Sequence, residues 1–252
     1  MNNHWLSYGA GVNSTALLVL LCEDPRGRAF LPFRVVFCDT QDESEKTYDY
    51  LYSVAMPYAR RHGITIEVCR PKEGVLERAE RLKVTISRTL RTCTQHGKIY
   101  PLRDYLKAFA DDDDLRIVGI HAGESHRARP APHGERGKVY PLVDWEIDQE
   151  GCLEAIRKAG LSAPPKSGCW MCPYLRVGQI LEMARDEVDR MRRIVRLEMV
   201  ATETHGLDSK GRPRTQWGDK PAKEWAARSC DENSAGMFAE VEPDPPCACF
   251  DG

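Results

Sequence analysis

The sequence predicts an α/β fold: a doubly wound, mostly parallel sheet with a helical C-terminal region. Three observations predict it. Short apolar runs of strand type alternate with helical patterns through the first half. A glycine turn joins the first extended segment directly to an apolar helix. In the second half the patterns are helical and strand-type runs stop. Strands alternating with helices build βαβ units, which need a parallel sheet.

The elements follow in order. His4 to Ser7 reads as extended, and Ser14 to Cys22 as an apolar helix. Phe33 to Cys38 is a strand ending at Asp39-Thr40. Glu43 to His62 has helical spacing, with Tyr48, Leu51, Tyr52, Ala55 and Ala59 on one face. Pro57 is expected to kink that helix and Gly63 to stop it. Ile64 to Val68 alternates as a strand. Tyr100 to Ala110 reads as a helix with Pro101 near its start. Asp111 to Asp114 is an acidic turn, and Leu115 to Ile120 another strand. His121 to Lys138 is polar and carries Pro130, Pro132, Gly134 and Gly137, so a long loop or lid is expected. Asp148 to Gly160 is a short helix. Val177 to Val200 is a long amphipathic one, with Val177, Ile180, Leu181, Ala184, Val188, Met191 and Val195 on one face. Residues 210–221 are loop-like, and the tail is rich in proline and acid. The expected division is a nucleotide-binding part, 1–148, and a helical cysteine-containing part, 149–252, packed as one continuous unit.

Lys and Arg number 36 against 38 Asp and Glu, for a net charge of -2. That balance lacks the global basic footprint of a standalone nucleic-acid binder. Local basic stretches lie at Arg88 to Arg91, at Arg127 to Arg129 with Arg136 and Lys138, and at Arg190 to Arg196. The last reads as a solvated face. The N-terminus has no signal-peptide pattern. The longest apolar run, Ala16 to Cys22, is far too short to span a bilayer. A cytoplasmic protein without membrane partners is expected. Ten cysteines there argue for metal binding or catalysis over a disulfide framework.

Ser7-Tyr8-Gly9-Ala10-Gly11-Val12-Asn13-Ser14-Thr15 is the most informative stretch. Gly9 and Gly11 allow a tight turn and close backbone approach to a ligand. Asn13 or Ser14 can cap the following helix. Its free N–H groups and dipole favour an anion, so the unit reads as a phosphate cradle. No Lys-Ser or Lys-Thr follows the glycines, which excludes a Walker A loop. Ser14 stands where a dinucleotide fingerprint needs its third glycine. The plain alternative is a Ser/Gly turn that only caps a helix. Gly9, Asp39-Thr40 and Gly119 to Glu124 all fall at carboxyl ends of strands, where such sheets bind ligands.

Cys169-Trp170-Met171-Cys172-Pro173 places two thiols at metal-ligand spacing. Cys93 is the best third ligand, and the tail adds Cys247 and Cys249. Zinc with four closed ligands, a redox dithiol of Cys169 and Cys172, and an iron–sulfur cluster all remain open. Cys22, Cys38, Cys69 and Cys152 sit in apolar segments and read as buried thiols; Cys230 is undecided. Glu124 is either a metal or base residue or a loop carboxylate paired with Arg127. His96, His121 and His126 cluster near the supposed site. Trp145 and Trp170 read as packing residues, while Trp217 and Trp225 have no assignable role.

The glycine loop, Asp39-Thr40, Arg91-Thr92-Cys93-Thr94 with Lys98 and Pro101, Gly119 with Glu124-Ser125 and Arg127, Tyr140-Pro141-Leu142 with Trp145, and Cys169-x-x-Cys172-Pro173 occur in this order. Together they resemble the phosphoadenosine phosphosulfate reductase family of the adenine nucleotide alpha-hydrolase (PP-loop) superfamily, in its phage and bacterial branch. The resemblance covers roughly residues 4 to 180. The usual loop has Asp where this chain has Asn13, and the reductase Glu-Cys-Gly tail is missing. The resemblance implies the alpha-hydrolase fold and an adenine nucleotide such as ATP. Its contacts would be Ser7, Gly9, Gly11, Asn13, Ser14, Thr15, Asp39, Thr40 and Gly119, with magnesium as a further cofactor. Lys98, Glu124 and Arg127 would be catalytic, the two cations facing phosphate or sulfate oxygens. A [4Fe-4S] cluster on Cys93, Cys169, Cys172 and Cys249 is implied, with zinc as the alternative. The implied chemistry is ATP-dependent sulfur transfer to a nucleic acid or nucleotide-like acceptor, with a sulfur donor such as a cysteine desulfurase. A sulfonucleotide reductase is the second reading, and a non-catalytic nucleotide sensor the third.

Overall fold

The computed structural model describes residues 4–88, 90–131, 137–218 and 220–229. In chain order the elements are β1 (His4–Tyr8), α1 (Val12–Glu23), β2 (Phe33–Cys38), α2 (Glu45–Tyr50), α3 (Met56–Arg61), β3 (Ile66–Cys69), α4 (Val75–Leu82), α5 (Thr92–Thr94), α6 (Tyr100–Phe109), β4 (Leu115–Val118), β5 (Lys138–Val139), α7 (Pro141–Asp144), α8 (Gln149–Lys158), α9 (Val177–Asp186), α10 (Val188–His205) and α11 (Ala222–Ser229). No described helix is long and apolar enough to cross a membrane.

Two compact units emerge. Among the described residues, 4–72 and 94–170 form the first, and 73–93 with 171–229 the second. The expected boundary at residue 148 does not coincide with this division, because α8 packs against α1 inside the first unit.

The first unit is built on five parallel strands in the order β3-β2-β1-β4-β5. Alternate side chains of each strand serve opposite faces. On one face Leu6, Tyr8, Val35 and Phe37 meet α1, α3 and α8. On the other, Trp5, Val36 and Cys38 meet Leu102 and Leu106 of α6. Helices on both faces make the sheet doubly wound, as the alternation of patterns predicts. The strand order reverses between β1 and β4, which opens a crevice at their carboxyl ends. Helix α1 is buried from Ser14 to Val19 and again at Leu21, so burial rather than an amphipathic stripe holds it.

Pro57, expected to kink its helix, and Pro101, expected near a helix start, are accommodated alike. Each follows a π-helical turn: Leu51–Ala55 precedes Pro57, and Gln95–Ile99 precedes Pro101. A proline has no N–H for the carbonyl four residues back, and one wide turn absorbs the missing bond. The second helix therefore starts at Thr92, well before the expected Tyr100, and includes Lys98. The single helix expected from Val177 to Val200 is two helices, broken at Glu187, whose φ of -126° is not helical. The second unit holds α4, α9, α10 and α11; α4 and α11 were not anticipated.

Candidate functional site

The loop after β1 is a backbone cradle. Ser14 Oγ accepts from the N–H groups of Gly9 and Gly11 at 3.2 and 3.3 Å, and donates to Gly11 O at 3.1 Å. Gly11 is the N-cap of α1, so Ser14 reaches back from the first turn instead of capping it. The left-handed residue is Ala10, at φ 55°, not either glycine. Gly11 is small for another reason: a Cβ there would lie 2.8 Å from Ser167 Oγ. Gly119, after β4, lies against the start of α1, where a Cβ would come within 3.0 Å of Ser14 N and 3.1 Å of Asn13 C. The first turn of α1 carries no acidic residue, so nothing there repels an anion. Two expected contacts serve the scaffold. Ser7 Oγ accepts from Arg116 Nε at 2.8 Å, and the buried Thr15 hydroxyl pairs with Tyr8 at 3.1 Å.

The loop after β2 is built from side chains. Asp39 is buried; it accepts from Gln41 N at 2.8 Å, Tyr48 OH at 2.6 Å and Arg70 Nε at 3.0 Å. Those three bonds fix the turn at this strand end. Beside it, Thr40 donates to Glu43 Oε1 at 3.0 Å and contacts Cys169 Sγ at 3.4 Å. Lys98 Nζ meets the same Glu43 oxygen at 3.0 Å, with both side chains nearly inaccessible at 7% and 1%. Lys98 therefore does not present a bare charge to phosphate, as expected from the sequence; the buried Glu43 shares it. Glu43 Oε2 is buried without a hydrogen-bond partner among the described residues. Backbone pairing docks residues 168–170 here: Ser44 N donates to Gly168 O and Trp170 N to Asp42 O. With Ser167 against Gly11, residues 167–169 run from the glycine loop to the end of β2.

After β4, Glu124 is paired with Arg127 at 2.7 Å and lies 3.7 Å from His121. The sequence allowed either a free base or a paired loop carboxylate at Glu124, and the structure shows the pair. Trp145 and Trp170 pack, as expected: Trp145 against Phe30 at 6.0 Å, and Trp170 in the buried core.

In the second unit the Cys172-Pro173 segment is clamped through its carbonyls. Gln216 Nε2 donates to Met171 O at 2.8 Å, Trp217 Nε1 to Cys172 O at 3.0 Å and Arg88 Nε to Pro173 O at 2.6 Å. Gln216 Oε1 also accepts from Ile86 N at 3.0 Å. Trp217, without a role in the sequence, thus holds the cysteine loop. Glu198 supports the same corner, accepting from Gln216 N and Ala222 N at 2.7 Å each, while burial pushes its carboxyl up to about 6.

Cys93 and Cys172 fall in the second unit and Cys169 in the first; Cys249 lies outside the described residues. Among the described residues no three His, Cys, Asp or Glu side chains come together to hold a metal ion. A [4Fe-4S] cluster takes three or four thiolates and structural zinc four closed ligands. The expected ligands Cys93, Cys169 and Cys172 are described, as reduced thiols. Cys22 and Cys152 match the expectation of inert thiols, burial pushing each up to about 12.

Sequence reasoning missed Glu43, Tyr48, Arg70 and Ser167. Ser44-x-x-Thr47 was a visible helix start beside Glu43, since Ser44 caps α2. Nothing local marked the other three.

Known proteins resemble this arrangement. A family model described as phosphoadenosine phosphosulfate reductase domain matches residues 3–149. An uncharacterized protein of Methanocaldococcus jannaschii is 25% identical over 167 residues; the match covers 60% of this chain and 33% of that protein, so the chain spans about a third of its relative's length. Among solved structures, a phosphoadenylyl-sulfate (PAPS) reductase from Candida auris, in a phosphate complex, aligns with TM-score 0.51 and 17% identity. That alignment covers 68% of this chain and 82% of the reductase. A U34-tRNA thiolase from Methanococcus maripaludis with its [4Fe-4S] cluster aligns with TM-score 0.48 and 13% identity, over 90% of this chain and 80% of the thiolase.

Proposed function

This chain belongs to the phosphoadenosine phosphosulfate reductase domain family, and from that premise we propose that it is a PP-loop enzyme of ATP-dependent sulfur transfer. One observation carries the reading. Residues 167–169 touch the phosphate loop at Gly11 and the end of β2 at Thr40, so the Cys169 thiol stands beside the nucleotide crevice. Pyrophosphate would take the Gly9 and Gly11 N–H groups that Ser14 Oγ now accepts, at the positive end of α1. An acceptor oxygen attacks the α-phosphorus, the bond to pyrophosphate breaks, and the acceptor carries AMP. A sulfur nucleophile then displaces AMP. A nucleic acid or nucleotide-like molecule is the acceptor in this reading, and a persulfide-bearing protein the donor: its terminal sulfur displaces AMP, and a second thiolate then breaks the resulting S–S bond, leaving the sulfur on the acceptor and a disulfide on the thiol side.

The family description favours a second reading, sulfonucleotide reduction. Purified protein with radiolabelled ATP separates the two. Pyrophosphate release stimulated by an acceptor supports the first reading. Sulfite release from phosphoadenosine phosphosulfate with a thiol donor, and no pyrophosphate from ATP, overturns it in favour of the second. Nucleotide binding with neither product overturns both and leaves a sensor.

A further inference from the structure

Cys38 and Cys69 belong to none of the chemistry above, yet the sheet brings them together. They are register partners on the parallel strands β2 and β3. Parallel register partners point to the same face, and neighbouring strands lie about 4.8 Å apart. A disulfide needs Cα atoms roughly 4.4–6.8 Å apart. Both residues are buried, at 5% and 6% exposure. Cys38 Sγ also lies 3.4 Å from Gly97 O and 3.5 Å from Lys98 O. Gly97 O is the carbonyl that Pro101, lacking an N–H, leaves without its helical partner. The next residue along each strand, Asp39 and Arg70, forms the ion pair at the candidate site.

We propose that Cys38 and Cys69 are a peroxide-sensitive dithiol that closes to a cross-strand disulfide beneath the Asp39–Arg70 pair. Cys69 is the attacking sulfur, because the Gly97 and Lys98 carbonyls accept the Cys38 S–H and so keep Cys38 as the protonated, resolving thiol. The Cys69 thiolate attacks one oxygen of hydrogen peroxide, the O–O bond breaks, and hydroxide leaves as water after taking a proton. The product is a sulfenic acid. Cys38 sulfur then attacks the Cys69 sulfur, the S–O bond breaks, and the Cys38 proton leaves with the oxygen as a second water. Two thiols lose two electrons and one peroxide gains them. Peroxide is small enough for a buried pair, whereas a bulky disulfide oxidant is not. Closure removes the S–H at Gly97 O and Lys98 O, so oxidation reaches the turn that carries Lys98.

The test uses the full chain, reduced and freed of reductant. It is treated with equimolar hydrogen peroxide, quenched in acid, alkylated with N-ethylmaleimide, digested and weighed. The expected product is a peptide linked through Cys38 and Cys69, two mass units lighter than its parts and released by dithiothreitol. In Cys38→Ser the Cys69 sulfenic acid should persist and be trapped by dimedone. Recovery of Cys38 and Cys69 as separate maleimide adducts, at peroxide levels that oxidise Cys93 or Cys172, overturns the proposal. So does oxidation of Cys69 to a sulfinic acid with Cys38 present. The readout needs no nucleotide, so it stands or fails apart from the sulfur-transfer reading.

Discussion

The loop after β1 and the loop after β2 lie at the same edge of one sheet and are made of opposite materials. The first is backbone: two N–H groups converge on Ser14, and glycines leave room at positions 11 and 119. The second is charge: Asp39 with Arg70, and Glu43 with Lys98, 55 positions apart in sequence and buried. A backbone cradle tolerates any ligand with anionic oxygens and fails when space is lost. A buried charge pair fails when either partner is lost, because the survivor stays in a medium that cannot solvate it. The two loops are therefore expected to break by different substitutions.

The largest effect tests the charged loop. Lys98→Met should destabilise the first unit by about 3–5 kcal/mol, since it leaves Glu43 buried and unpaired. Adding Glu43→Gln should recover most of that in urea unfolding. A single-variant loss under about 1 kcal/mol would break the contrast.

Next comes a carboxylate held only by backbone N–H groups, a hybrid of the two constructions. Glu198 titrates at about 6 in the fold, above its ordinary 4.5. A raised carboxyl binds its proton more tightly when folded. Its stabilising contribution is full below pH 4.5 and lost as pH rises through 6, about 2 kcal/mol by pH 7. Unfolding midpoints of the native chain and Glu198→Gln, compared between pH 4.5 and 7, should converge toward the acid end; parallel profiles would refute the assignment.

Gly119→Ala tests the cradle. Its Cβ meets backbone atoms that cannot swing away, so a loss of about 1–2 kcal/mol and weaker ATP binding are expected. Isothermal calorimetry showing unchanged affinity would remove Gly119 from the cradle. The smallest effect belongs to Gly11→Ala, about 1 kcal/mol or less, because its Cβ meets only the movable Ser167 hydroxyl. Ser167→Ala should rescue it; failure of the rescue would show that Gly11 is needed for something besides space.

The same contrast explains what was legible in the sequence. The parallel sheet followed from strand and helix periods, and the glycine turn into α1 from residues contiguous at 7–15, because both are local. Glu43 with Lys98, Asp39 with Arg70, and Cys172 with Trp217 join segments far apart in sequence, and no local pattern records such pairs. The start of the helix at Thr92 was hidden because Pro101 looks like a first-turn proline. A preceding π-helical turn lets it sit inside a longer helix instead. The break at Glu187 was hidden for the converse reason: apolar spacing continues across it on both sides.

Ser14 gives the cradle one more property. With its hydroxyl already accepting from Gly9 and Gly11, those two donors are satisfied before a ligand arrives. An arriving anion exchanges one acceptor for another, and such exchanges are worth little net enthalpy. What distinguishes a phosphate oxygen from the serine oxygen is its full charge, which the end of α1 rewards and a hydroxyl cannot supply. Affinity at this loop should therefore follow the charge of the ligand and fall with added salt, so a neutral phosphate mimic of identical shape would be turned away.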